Sequence, residues 1–404
     1  MPYLNATEQE TLRTVNIARS AAKRYRVLHL ATYAVPHVGG VEIHMHTLCK
    51  ALAARFDVSE AGGGGPRFRS SRQIVEGVPL TRLATPLTLR SATICPQIPM
   101  AIRAGNPDLV HLHMPNPFGA AAFLLSGYKG SLIVTWHFDV VRQRLLNRLF
   151  TPLFNRVLSR ATAVIATSPN ITKSSEMLQT FSDRVRVVPY GIDHEPYDRR
   201  DSEAATIRQH FGPKIILGVG RLVYYKGWEY LIKAMSEVDA SLLIVGDGPL
   251  RQELELQAKT QGIADRVHFI GERNHLIPFY QACDVFVLSS IRGEAFGLVQ
   301  LEAMAAGKPV INTSLQSGVP FVSRDGESGC TVPPHDSKAL AKAINSLLAN
   351  EPLRNRYGRV GKRRVQQEFS VQAMTNSVIK LYAEALSDDT LNAPAEQARE
   401  LSAD

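Results

Sequence analysis

Short apolar runs alternate with helix-length stretches along most of this 404-residue chain, and that alternation restricts the fold more than any other feature. Arg26–Ala31, Leu109–His113, Leu132–Thr135, Ala163–Ala166 and Val185–Val188 read as strands, with a helix expected from about Val41 to Arg55. The polar segment Asp193–Asp201 (DHEPYDRRD) interrupts the series as a linker. A second series follows, with strands expected at Ile215–Val219, Leu242–Val245, Val267–Ile270, Val285–Leu288 and Pro309–Ile311. Helices such as Trp228–Met235 and Leu250–Thr260 fall between them. Strands separated by helices imply parallel sheets covered on both faces. The expected fold is α/β, with two doubly wound, Rossmann-like domains and a ligand cleft outside the carboxyl ends of their strands. The first domain is expected over 26–195 and the second over 196–369. A helix over 370–386 may be placed back on the first half, residues 1–25 form an extension without an assigned role, and 387–404 read as a frayed polar tail. Gly62–Gly65, near Arg67, Arg69 and Arg72, reads as a flexible basic loop.

Composition excludes several classes. There is no run of 18 apolar residues for a spanning helix, and the first twenty residues lack an apolar signal-peptide core. Cys49, Cys95, Cys283 and Cys330 are scattered and make no zinc-type pair, which fits a reduced cytoplasm. The net charge of +9 is uneven. Residues 1–200 hold 24 Lys+Arg against 13 Asp+Glu (+11), and residues 201–404 hold 22 against 24 (−2). Such asymmetry points to an anionic partner for the first half. Within it, Val140–Arg160 interleaves Arg142, Arg144, Arg148, Arg156 and Arg160 with leucines and phenylalanines, with Pro152 expected to kink or divide the helix. Such a helix suits an anionic membrane surface or, equally, a core-packed helix with a basic outer face.

Chemistry concentrates in the second half. Gly293–Ile311 (GEAFGLVQLEAMAAGKPVI) places Glu294 and Glu302 eight residues apart around a helix predicted to begin at Phe296-Gly297. A helix start offers unpaired N–H groups and a positive dipole end, so Ala295, Phe296, Gly297 and Leu298 form a phosphate-ready segment. Glu294, in the preceding loop, can accept from sugar hydroxyls, and Glu302, within the helix, can reach a ribose. Upstream, Gly218 and Gly220 permit close backbone approach, and Arg221 and Lys226 can neutralise a diphosphate. Gly246-Asp247-Gly248 supplies a tight turn, and Ile270 and Arg273 lie at the next strand end. In the first half, Gly39-Gly40 opens a helix as a further phosphate-ready loop, and His137 follows a strand at Thr135–Asp139. His44 and His46 read as structural, as do His111 and His113, although His113 at its strand end could line the cleft. The bland alternatives are solvated glutamates and cations, a purely structural turn and a packed histidine.

These motifs resemble those of the family 4 retaining glycosyltransferases, whose fold is GT-B. The E-x7-E segment resembles their donor motif, and GVGRL followed by Lys226-Gly227 resembles the motif whose Arg and Lys bind the donor diphosphate. The GDGP turn at Gly246–Pro249, the strand end at Ile270–Arg273, Gly39-Gly40 and His137 match further positions, over residues 26–386. The resemblance implies transfer of a hexose with retained configuration, no cofactor and no catalytic metal, with His137, Arg221, Lys226 and Glu294 at the reacting centre. The expected donor is GDP-mannose or a UDP-hexose. The expected acceptor is a lipid-diphosphate-linked saccharide of surface polysaccharide or lipopolysaccharide synthesis, met at the inner face of the plasma membrane. A nucleotide-sugar epimerase of the same architecture is one rival. A basic nucleic-acid-binding protein is another, without a recognisable motif to support it.

Overall fold

The computed structural model describes residues 24–35, 39–89, 92–139 and 144–392. The expectations on residues 1–23, Arg142 and 393–404 lie outside the described residues. The first sheet contains β1 (Arg26–Tyr33), β2 (Asp57–Gly65), β3 (Ser71–Val75), β4 (Val78–Ala84), β5 (Leu109–Met114), β6 (Ser131–Trp136), β7 (Ala163–Ala166) and β8 (Val185–Val187). Their order is β8-β7-β6-β5-β1-β2-β4-β3. β1 runs parallel to β2 and β5, and β3 runs antiparallel to β4. The second sheet contains β9 (Ile215–Val219), β10 (Ser241–Val245), β11 (Val267–Gly271), β12 (Val285–Val287), β13 (Val310–Thr313) and β14 (Gly329–Val332). Its order is β11-β10-β9-β12-β13-β14, and all its pairings are parallel.

The parallel second sheet follows from alternation within each apolar strand. Ile216, Leu242, Ile244, Val285 and Val287 enter one core cluster. Their neighbours Ile215, Leu217, Leu243, Val245 and Phe286 enter another. Successive side chains point to opposite faces, so burial of both sets requires helices on both sides. The chain divides into two compact units. One takes the described residues up to Thr135, Arg148–Val164 and those from Thr375 on; the other takes those of Trp136–Asn147 and Ile165–Met374.

Two sequence expectations are corrected here. Gly62–Gly65 is not a flexible loop but the end of β2, with Gly62 and Gly63 buried. A Cβ on Gly62 would lie 2.7 Å from the Tyr33 carbonyl carbon, so only glycine lets the end of β2 approach β1 this closely. The first residues of the polar tail are also ordered. Asp389–Asn392 forms a 3-10 turn, and Asp388 Oδ2 accepts from Tyr25 Oη at 2.8 Å.

The helix Arg144–Leu158 runs through Pro152 without being divided. Phe154, Val157 and Leu158 are buried. Arg160 is drawn inward, donating to the Tyr128 carbonyl at 2.7 Å with its guanidinium 5.2 Å from the Phe123 ring centre. The basic stripe therefore loses one member to packing, while Arg156 stays exposed. The side chains of Arg144 and Arg148 lie outside the described residues. No described helix is long and apolar enough to cross a membrane.

Candidate active site

In the second unit, β9 is followed by Gly220, whose φ of 148° lies in the region that favours glycine. The chain turns through Arg221 to the short 3-10 segment Tyr224–Lys226, and Gly227 starts the helix Trp228–Ala234. This loop is bolted to the one after β12. Ser289 Oγ donates to the Lys226 carbonyl at 2.9 Å, and Ile291 N donates to the Tyr225 carbonyl at 2.9 Å. A Cβ on Gly227 would lie 2.2 Å from the Ser289 carbonyl oxygen, so the approach requires glycine.

Those ties bring Lys226 and Glu294 together although 68 residues separate them. Lys226 Nζ lies 2.5 Å from Glu294 Oε2, with the two side chains 13% and 15% exposed. Ser290 Oγ donates to the same oxygen at 3.2 Å. Glu294 Oε1 has no protein donor among the described residues. Lys226 is thus half-buried and paired rather than free in open solvent, whereas Arg221 is exposed. Removing either partner strands a largely desolvated charge.

The glycine turns serve the scaffold more directly than the sequence suggested. A Cβ on Gly218 would meet the Trp228 ring at 2.6 Å, and one on Gly246 would lie 2.2 Å from the Gly220 oxygen. Gly248 packs equally closely on Leu222, and Leu222 N donates to the Asp247 carbonyl at 2.9 Å. Asp247 Oδ2 pairs with Arg251 at 3.2 Å. Arg251 also donates to the Phe269 carbonyl at 3.3 Å, so it joins the turn to β11. The sequence reading missed Arg251, although its position four residues after Asp247 on a helix was the available signal. Ile270 is half-buried, and Arg273 is exposed and donates to the neighbouring Glu272 carbonyl at 3.0 Å.

The helix that follows Glu294 spans Leu298–Ala305, with Gly297 at its N-cap in the left-handed region (φ 76°) and no side chain capping it. Phe296 is buried; its ring lies 4.8 Å from that of Tyr190 and 6.0 Å from that of Phe369. Only its backbone is offered to a ligand. Ala295 uses its carbonyl to accept from Gly318 N at 2.8 Å. Glu302 does not join the Lys226–Glu294 pair. Its Oε2 accepts from Tyr280 Oη at 2.6 Å, and burial pushes its carboxyl up to about 6, against the lowering effect of that hydrogen bond.

His137 follows β6 and is 1% exposed, with Nδ1 hydrogen-bonded to the Tyr190 hydroxyl. Tyr190 in turn packs on Phe296, so His137 is linked to the donor segment through one aromatic residue. The other unit holds Gly39 and Gly40. Gly39 caps the helix Gly40–Leu52 in extended conformation, and a Cβ there would meet Glu42 Oε2 at 2.3 Å. A carboxylate therefore already stands at that helix start.

One group of side chains has metal-ligand character. His29, His111 and His113 offer ring nitrogens within 4.8 Å of one another. Hydrogen bonds use these atoms: His111 meets Tyr382 Oη and Thr135 Oγ1, each at 2.7 Å, and His29 meets His113 at 3.0 Å and Tyr382 at 3.1 Å. Burial lowers the His113 imidazole to about 3, so it stays neutral in the core. His113 is thus part of a closed buried network in its own unit. His46, half-buried, pairs with Glu60 at 2.8 Å.

With this geometry in hand, the relatives are informative. Residues 201–364 match the family described as "Glycosyl transferases group 1", and residues 38–196 match "Glycosyltransferase Family 4". The O-antigen chain mannosyltransferase C of Escherichia coli is 31% identical over 371 residues, covering 89% of this chain and 99% of the relative. The D-rhamnosyltransferase WbpZ of Pseudomonas aeruginosa is 34% identical over 271 residues, covering 66% and 71%. Among solved structures, Anabaena HepE in complex with UDP aligns with a TM-score of 0.74 at 21% identity, covering 89% of this chain and 99% of that one.

Proposed function

Because the chain belongs to glycosyltransferase family 4, with a GT-B fold and hexosyltransferase activity, we propose a specific reaction for it. It moves a hexose, mannose first, from a nucleoside-diphosphate sugar to a hydroxyl of a lipid-diphosphate-linked saccharide. GDP-mannose is the first donor choice and a UDP-hexose the second. The product enters surface polysaccharide or lipopolysaccharide synthesis, and the reaction retains anomeric configuration and uses neither metal nor cofactor. The enzyme works in the cytoplasm, peripherally on the inner face of the plasma membrane. The names of the mannosyl and rhamnosyl relatives support the sugar class.

The observation that carries the reading is the Lys226–Glu294 pair, held at 2.5 Å beside an uncapped helix start. As the glycosidic bond breaks, positive charge develops at the anomeric carbon and negative charge on the diphosphate. Lys226, Arg221 and the amides at Gly297-Leu298 stabilise the negative charge. Glu294 Oε1 accepts from a hexose hydroxyl, while Oε2 is held by Lys226 and Ser290. Glu302 takes the ribose, and the Gly246–Gly248 turn, Ile270 and Arg273 border the base. The buried His137 supports the sugar side. The leaving phosphate takes the acceptor proton.

The test is a panel of nucleotide sugars, each incubated with and without glycolipid acceptor, with chelator in parallel. Transfer from GDP-mannose with an α-configured product and full activity in chelator is expected. A donor at a hundred times its dissociation constant should stabilise the protein by about 2.7 kcal/mol. Epimerised donor without transfer, or loss of activity with chelator, would overturn the reading.

A further inference from the structure

The second unit contains a cavity of about 380 Å³ that Glu294 lines and Lys226 does not. That volume is within the range of small-molecule sites. Of the donor-side residues named above, only Glu294 and Ala295 border it. Arg221, Lys226, Gly297, Leu298, Glu302, Ile270 and Arg273 are not in its lining. The cavity therefore offers space next to the hexose position that the nucleotide does not use.

Its lining is mixed in a particular way. Phe138, Ile171, Ile291 and Leu315 give apolar surface, and Asp139 and Glu294 give carboxylates. Phe138 is 40% exposed, a high value for a phenylalanine, and it stands next to Asp139 in the chain. An exposed aromatic face beside a carboxylate matches the two surfaces of a sugar ring, C–H groups on one side and hydroxyl donors at the rim.

Asp139 is held in place by one oxygen. Its Oδ1 accepts from Trp136 Nε1 at 2.7 Å and from Ser175 Oγ at 2.8 Å. Trp136 and Ser175 are both buried, at 3% and 0% exposure. Oδ2 has no protein donor among the described residues. A carboxylate fixed through one oxygen, on a residue that lines the cavity, is preorganised to accept a hydrogen bond from a ligand.

We propose that this cavity is the subsite for the acceptor saccharide and that Asp139 binds an acceptor hydroxyl through Oδ2, with Phe138 packing on the ring. The proposal rests on the reading of Glu294 as the hexose end of the donor. It makes Asp139 a specificity residue for the acceptor rather than for the donor.

Asp139→Asn is the discriminating variant, because the amide oxygen still accepts from Trp136 and Ser175 while the position of Oδ2 becomes an N–H donor. Free mannose, glucose, rhamnose and N-acetylglucosamine serve as acceptor probes, and nucleoside-diphosphate release is measured with and without them. In Asp139→Asn, KM for the stimulating sugar should rise about tenfold, the size expected for one hydrogen bond to a charged group. Donor hydrolysis without acceptor, nucleoside-diphosphate affinity and melting temperature should stay at wild-type values. Phe138→Ala, at an exposed position, should raise the same KM without changing hydrolysis. Parallel loss of hydrolysis and transfer would place Asp139 on the donor and overturn the proposal, as would an unchanged KM in both variants. If no sugar raises release in the wild type while donor binding and hydrolysis persist, the acceptor subsite is wrong and the donor reading stands. If the wild type binds no nucleoside diphosphate, the donor reading itself fails.

Discussion

Glu294 shares its Oε2 with the Lys226 ammonium and the Ser290 hydroxyl, whereas Glu302, eight residues on, gives its Oε2 to the Tyr280 phenol. One lies in a loop beside a cation and the other, half-buried, in a helix beside a phenol. Glu294 has a cation beside it, and Glu302 does not; burial disfavours the charged form of Glu302. The carboxyl of Glu302 is accordingly raised to about 6. Identical side chains on one short segment thus acquire different chemistry from their neighbours.

The sharpest way to break the comparison is to remove the cation. Lys226→Ala should lower the transfer rate on the order of 10²–10³-fold, the cost of losing a preorganised charge opposite the leaving group. It also leaves Glu294 without the cation that pairs with its Oε2. Pre-steady-state transfer rates test this expectation. Wild-type kinetics in Lys226→Ala would move the reacting centre elsewhere.

A smaller effect sits on Glu302. Its folded carboxyl titrates near 6 against an ordinary value of 4.5. Between those values the folded chain holds a proton that the unfolded chain has released, so stability is greatest below the lower value and falls as pH rises through the window. The total loss is about 2 kcal/mol. Denaturant midpoints for wild type and Glu302→Gln across that range should differ in slope, the variant lacking this component. Equal slopes would show that Glu302 is solvated.

The smallest expected effect divides the donor. Glu302→Ala should weaken binding of the free nucleoside diphosphate about tenfold, one hydrogen bond to a charged group, because the ribose is present in that ligand. Glu294→Ala should leave that affinity nearly intact and lower sugar transfer instead. Calorimetry with the diphosphate alone, beside transfer rates, decides it. The reverse pattern would exchange the two roles.

Much of the framework was legible beforehand, and the reasons are specific. The β9, β10 and β12 runs are apolar on both faces and bounded by turn residues, which leaves few alternatives to a buried parallel sheet. The helix start after Glu294 could be placed because Gly297 precedes an uninterrupted helical stretch. β2 was not legible. Its glycine run reads as a loop to any propensity argument, and only the closeness of Tyr33 shows why a strand must be glycine there.

The sequence by itself determined the two α/β series, the order of the motifs and the residue types available for a donor site, because these depend on periodicity and local spacing. Tertiary structure alone decided which oxygen of Glu294 is occupied, that Glu302 bonds Tyr280, that Arg160 turns inward and that Asp139 is held through Oδ1 by Trp136 and Ser175. Pairing, burial and desolvation are set by contacts between residues far apart in the chain, such as Lys226 and Glu294, and no local pattern encodes them.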